Sequence, residues 1–255
     1  MEVPKRVRAG LKKVDERLPW AAIYRGDAYE CPCCGGHFRQ MRKMDGRPNA
    51  RCPRCYALER HRVQWLYLRD RTDLFTRPQS LLHFAAEPGF EERLRAMPNL
   101  DYVSADLYPK TSFQIRLDIT GLPYEDGKWD AVMANHVFGE VPDDRKAMAE
   151  VFRVLKPGGL LISQTAIDHS LTETRENSAS ARYSWVPRGG EQAIGSNIRR
   201  YGTDYADRLR EAGFQTELVQ YVAELDPELR RRYALEEHGG ETTGNDIFVS
   251  VKPGG

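Results

Sequence analysis

Between residues 81 and 251 the apolar positions come in short blocks that alternate between two periods. Residues 81–85 are a short apolar run that predicts a strand, and residues 90–97 repeat at helical spacing. Further strands are predicted at 102–105, ended by Asp106, at 114–117, ended by Asp118, and at 129–134. Residues 143–155 predict an amphipathic helix with Ala147, Met148, Val151, Val154 and Leu155 on its apolar side. It stops at Lys156-Pro157-Gly158-Gly159, because proline lacks an amide donor and glycine suits a left-handed turn. A fifth strand follows at 160–165. Residues 166–201 are polar and aromatic with little periodicity, and so long a stretch points to a functional loop such as a substrate lid. Thr203 is placed to cap a helix ending at Gly213, and 216–221 and 247–251 complete seven strands. Strands and helices in alternation predict an α/β fold with a doubly wound, mostly parallel sheet.

The first 80 residues follow a different pattern. A short helix is predicted around 11–18, and a cysteine module runs from 30 to 55. Residues 56–71 place Leu58, His61, Trp65 and Leu68 on one helical face, and 73–80, with Pro78, read as a linker. The expected organisation is a module with its connecting helix at 1–72 and a second domain at 80–255.

Charge sharpens this division. Net charge over the 255 residues is only +1, but residues 1–72 hold 17 Lys and Arg against 8 Asp and Glu, and the remainder holds 21 against 29. A basic first part keeps an anionic partner in play. No run approaches the roughly 18 apolar residues that cross a bilayer, and no apolar core follows the basic start, so the expected compartment is the cytoplasm.

All five cysteines lie between positions 31 and 55. A disulfide framework would spread them along the chain, whereas clustering in a reducing compartment points to metal. Cys31-x-x-Cys34, seventeen residues, then Cys52-x-x-Cys55 can place four thiolates around one Zn²⁺ in a closed, structural, ribbon-like site. Spacing favours Cys34 over Cys33 as the ligand. His37 and His61 read as surface or packing histidines.

Residues 81–159 carry a motif series: Leu81-Leu82-His83-Phe84-Ala85-Ala86-Glu87-Pro88-Gly89 at the first strand–turn–helix; Asp106; Asp118-Ile119 with Leu122-Pro123; Trp129-Asp130-Ala131-Val132; Asn135-His136-Val137; and Leu155-Lys156-Pro157-Gly158-Gly159. Together they resemble the class I S-adenosylmethionine (SAM)-dependent methyltransferases of the type 11 group, in particular a bacterial subset with a zinc-binding N-terminal extension. The resemblance implies a Rossmann-like catalytic domain and a SAM site at the carboxyl edge of the sheet. It places His83, Ala85, Glu87 and Gly89 along the first turn, Asp106 and Leu107 at the ribose, Asp118 and Ile119 at the adenine, and Asn135 beside the methyl donor. One departure stands out. The family's acidic residue and G-x-G-x-G are replaced by His83, Ala85, Glu87 and Gly89, so a single glycine survives. Glu87 is placed to bind the methionine ammonium, restoring the charge lost at His83.

The implied activity is methyl transfer to an O or N atom of a small-molecule acceptor, with specialised metabolism as its setting. Alignment of donor and acceptor carries most of such a reaction, and a general base helps where the acceptor must lose a proton. The candidates for that base are His136, Glu140 and His169. Tyr183, Trp185, Arg199 and Tyr201 are the expected acceptor-recognition residues. Two alternatives remain: an RNA methyltransferase gripping its substrate through the zinc module, and a non-catalytic methyltransferase fold used for binding.

Overall fold

A computed structural model describes residues 19–44, 46–177, 198–235 and 245–254. The helix expected around 11–18, and the expected recognition residues Tyr183 and Trp185, lie outside the described residues. In chain order the described elements open with α1 (Trp20–Ile23), β1 (Arg25–Cys31), β2 (Gly36–Phe38), β3 (Arg42–Met44), β4 (Arg47–Arg51) and α2 (Glu59–Arg71). The sheet region follows with β5 (Gln79–Phe84), α3 (Pro88–Arg95), β6 (Leu100–Asp106), β7 (Gln114–Arg116), β8 (Trp129–Ala134), α4 (Asp144–Val154) and β9 (Leu155–Ser163). Then come β10 (Arg175–Glu176), β11 (Arg199–Arg200), α5 (Tyr205–Glu211), β12 (Gln215–Val219), α6 (Tyr221–Glu224), α7 (Pro227–Arg232) and β13 (Ile247–Val251).

Seven strands form one sheet in the order β12-β13-β9-β8-β5-β6-β7. Only β13 runs against its neighbours; the other pairs are parallel. The chain leaves β5 for β6 and β7, then crosses back to place β8 on the other side of β5. The order therefore reverses between β5 and β8, and ligands of open α/β sheets bind at the carboxyl ends of such strands.

Both faces of the sheet are apolar, which is why its strands read as continuous runs. Leu82, Phe84, Val132, Ala134 and Leu161 face α4 and α5. Leu81, Ala131, Met133 and Ile162 face the other way, into a core shared with Cys31, Cys33, Phe38, Met41, Cys52 and the apolar residues of α2. The cysteine ribbon and α2 thus close one face of the seven-stranded sheet.

Most expected elements appear within a few residues of their expected ends. Two differ in where they start. Strand β9 starts at Leu155, not 160, because Leu155 pairs with Trp129 before Lys156-Pro157-Gly158-Gly159 bulges out and pairing resumes at Ala131 with Leu160. Gly158 holds the bulge at φ +76°, and its amide bonds the Lys252 carbonyl. The helix expected after Thr203 starts one residue later, with Asp204 flanking it, while the Thr203 amide bonds the Leu171 carbonyl.

Candidate cofactor and metal sites

The two cysteine pairs sit on matching turns. In each, an amide returns to the first cysteine's carbonyl: Gly35 to Cys31 (2.8 Å) and Tyr56 to Cys52 (3.2 Å). The residue after each second cysteine is left-handed, Gly35 at φ +62° and Tyr56 at +63°. Sulfur atoms of Cys31, Cys34, Cys52 and Cys55 all lie within 4.8 Å of one another, with Cys31–Cys55 at 3.6 Å and Cys34–Cys52 at 3.7 Å. Tetrahedral zinc with Zn–S near 2.3 Å separates its sulfurs by roughly 3.8 Å, so the cluster has the dimensions of a zinc site. Cys33 points elsewhere, its thiol 3.7 Å from the His61 carbonyl. His37 is on the surface, 2.8 Å from Asp27.

Four positions after Cys55, α2 begins and lies across the carboxyl edge of the sheet. The His61 ring caps its own helix: Nδ1 accepts the Leu58 amide at 3.2 Å. The ring proton therefore sits on Nε2, which lies 3.4 Å from Glu87 Oε1. One turn on, Gln64 and Asn135 exchange two hydrogen bonds, at 2.9 and 2.7 Å, and Asn135 also donates to Glu87 at 3.3 Å. Both amides are buried. His83, fully buried under the turn, lies 3.0 Å from the Tyr102 hydroxyl and 3.3 Å from Glu87 Oε2. Burial alone would raise the Glu87 pKa, but the His61 and His83 rings and its own amide reverse the effect, so Glu87 stays a carboxylate.

The altered first turn has its own logic. Ala85 takes φ +49°, a conformation glycine normally supplies, while its amide holds the Ala105 carbonyl at 2.8 Å. Gly89 is needed for the metal module: a Cβ there would lie 2.7 Å from the Cys55 carbonyl oxygen. The surviving glycine thus admits the second cysteine turn against the start of α3.

Several buried polar atoms at this edge lack a hydrogen-bond partner: Arg60 Nε, His61 Nε2, Glu87 Oε2, His136 Nε2 and Gln164 Oε1. His136 is at φ +55°, strained for a non-glycine residue, with its amide on the Gln164 carbonyl at 2.7 Å. Burial first, and the Arg60 charge second, push the His136 pKa down to about 4. Burial likewise takes His61 down to about 4. Such a gathering of unpaired groups of both charge signs is what a buried zwitterionic ligand would complete.

At the other end of the site the residues are open. Asp106 ends β6, accepting the Tyr108 amide at 2.9 Å with Lys110 3.3 Å away, and Leu107 beside it is exposed. Asp118 is exposed and accepts both the amide and hydroxyl of Thr120, while Ile119 is buried in the core. Partial burial raises the Glu140 pKa, with Lys110 opposing the shift and Asp106 adding to it. His169 stands 3.9 Å from Asp246.

Two expected recognition residues have internal work instead. Arg199 is buried, bonding the carbonyls of Phe138, Val141 and Pro142 at 2.7–2.9 Å and Glu176 at 3.0 Å. Buried Tyr201 donates to Asp144 at 2.9 Å. Both fasten the chain around 138–144, so neither side chain is available to an acceptor. Conversely, Arg60 and Gln64 were not anticipated, since they lie on the connecting helix and outside every motif.

The doubly wound sheet, with β13 as its one reversed strand, has a Rossmann-like order, and the polar groups described above gather at its switch point. Residues 93–163 match the family model described as a methyltransferase domain. The chain is 35% identical over 95 residues to a demethylmenaquinone methyltransferase of Renibacterium salmoninarum, covering 33% of this chain and 40% of that protein. It is 34% identical over 91 residues to malonyl-(acyl-carrier protein) O-methyltransferase 1 of Coxiella burnetii, covering 35% of this chain and 32% of that protein. The chain therefore matches well under half the length of either relative. Among solved structures, the (4+2)-cyclase SpnF has 17% identity over 85% of this chain and 87% of that one, with a TM-score of 0.48. Among the described residues no helix is long and apolar enough to cross a membrane.

Proposed function

We propose that the protein is an SAM-dependent methyltransferase acting on an O or N atom of a small-molecule acceptor, with a structural zinc ion held by Cys31, Cys34, Cys52 and Cys55. The observation that carries this reading is the set of unpaired buried groups of both charges at the switch point of a methyltransferase-type sheet. In it, residues 1–72 act as the zinc module with its connecting helix and 80–255 as the methyltransferase domain, built on a shared core.

Bound SAM supplies a methyl group made electrophilic by its sulfonium. Glu87 offers a carboxylate to the ammonium of its methionine part, oriented by His61 and His83 from beneath. Asn135, fixed by Gln64, stands beside it. Asp106 offers its carboxylate to the ribose hydroxyls, and Leu107, Asp118 and Ile119 border the adenine. His136 stays neutral at pH 7 and accepts a hydrogen bond from the acceptor hydroxyl or amine, orienting it for attack. With so low a pKa it is a positioning group more than a strong base. Glu140, its pKa raised, stands at the rim as the second candidate base.

The deciding experiment is calorimetric titration of the zinc-loaded protein with SAM and S-adenosylhomocysteine. Micromolar binding of both supports the reading; no binding at millimolar ligand ends it. One observation favours RNA as an alternative acceptor: Arg25, Arg39, Lys43, Arg51 and Arg54 on the ribbon have no carboxylate partner among the described residues. Steeply salt-dependent RNA binding would move the proposal there.

A further inference from the structure

Arg60 is the second residue of α2 and lies five positions after Cys55. Its carbonyl accepts Gln164 Nε2 at 3.3 Å, which fixes the first turn of the helix over the end of β9. Its charge acts on both Glu87 and His136, which follow the two strands flanking the switch point. Neighbouring Arg47 is paired with Glu59 at 3.0 Å. Arg60 itself has neither an ion pair within 4 Å nor a side-chain hydrogen bond among the described residues, and its Nε is shut off from solvent. A guanidinium cannot shed its proton to escape this situation. Its Nε is held away from water without an acceptor, a cost that a bound anion would relieve. Glu87 presents the opposite charge nearby, a buried carboxylate whose Oε2 has the His83 ring 3.3 Å away.

A guanidinium without a partner and a carboxylate fixed by Asn135, His61 and His83, both at the switch point, match the two ends of an α-amino acid. We propose that Arg60 binds the carboxylate of the methionine part of SAM, opposite Glu87, which takes its ammonium. This inference rests on the cofactor reading above and extends it to the N-terminal module. The sheet supplies one half of the amino-acid clamp; the helix fastened by the cysteine ribbon supplies the other. Arg62, two residues on, fixes that helix through hydrogen bonds to the carbonyls of Asn49, Ala50, Ala57, Tyr233 and Ala234 at 2.7–3.3 Å. Metal loading of the ribbon and affinity for the carboxylate of SAM are therefore linked.

The test compares SAM with its decarboxylated analogue, which keeps the ammonium, sulfonium and adenosine. Both are titrated calorimetrically into the full-length zinc-loaded protein and into Arg60→Ala and Arg60→Lys, with zinc content as the check on the ribbon. The wild type is expected to bind SAM about 10- to 100-fold more tightly than the analogue, as a charge-assisted hydrogen bond contributes. Arg60→Ala should abolish that preference by weakening SAM alone, and Arg60→Lys should retain part of it. Equal weakening of both ligands, or of neither, overturns the assignment, as does an effect confined to the KM of the acceptor. Should Arg60→Ala fail to load zinc, the wild type still decides, since no preference for SAM over the analogue also overturns it. If the wild type binds neither ligand, the cofactor reading itself falls.

Discussion

The two ends of the candidate SAM site are built in opposite ways. At the methionine end, side chains from α2, β5 and β8 interlock through buried hydrogen bonds, and Glu87, Gln64 and Asn135 are fixed before any ligand arrives. At the adenosine end, Asp106 and Asp118 hold only local turns, and Phe113 nearby is 64% exposed. Preorganisation at one end lowers the ordering cost of binding; openness at the other leaves an entry. Substitutions at the closed end should therefore cost stability and affinity together, and those at the open end affinity alone.

The sharpest way to break this contrast is Cys52→Ser. Because Cys31, Cys33 and Cys52 belong to the core that covers β5, β8 and β9, loss of metal should lower stability by several kcal/mol and remove SAM binding as well. Metal analysis should give one zinc per wild-type chain. A fully folded, SAM-binding Cys52→Ser protein would mean that the closed end does not depend on the ribbon.

Acid should act next most strongly, again at the closed end. The pKa values of His61 and His136 fall from 6.5 to about 4 on folding. Between those values the unfolded chain binds protons that the folded chain excludes, so stability is complete above pH 6.5 and declines as pH falls toward 4. Denaturant titrations should show His136→Gln flattening that decline by about 1–3 kcal/mol across the window. An identical slope in the variant would place His136 in water.

Gln64→Ala leaves the buried Asn135 amide without its partner, and about 1–3 kcal/mol of stability should go with it, along with SAM affinity. Asp106→Ala is expected to weaken SAM by about 1–3 kcal/mol at unchanged melting temperature. A drop in both properties would show that the open end is as built as the closed one. The smallest effect belongs to Phe113→Ser: less than about 1 kcal/mol of affinity and nothing in stability.

Legibility followed the same divide. The strands could be read because each follows a local pattern, which also located Asp106 at the end of β6 and Asn135 just after β8. The cysteine spacing was equally local, and it separated Cys34 from Cys33. What could not be read was contact across the chain. Gln64 and Asn135 are 71 residues apart, and nothing in either neighbourhood pairs them. Gly89 could be read as a cofactor glycine, although its geometric constraint comes from a cysteine 34 residues earlier. Arg199 and Tyr201 looked like recognition residues because long polar loops often carry them; burial of their side chains gave them other partners. Helix α7 went unread because its six residues include three arginines and only one apolar side chain, Leu229.

The carbonyls gathered by Arg62 come from residues 49–57 and 233–234, so a single fixed charge binds the cysteine ribbon and the segment after α7 to the same helix. Cutting the gene at the boundary suggested by the linker would not yield two independent parts. The sheet region would be left with the Tyr233 and Ala234 carbonyls unanswered and one face of its sheet bare. Exchanging cysteine extensions between relatives should accordingly succeed only when the segment after α7 travels with them.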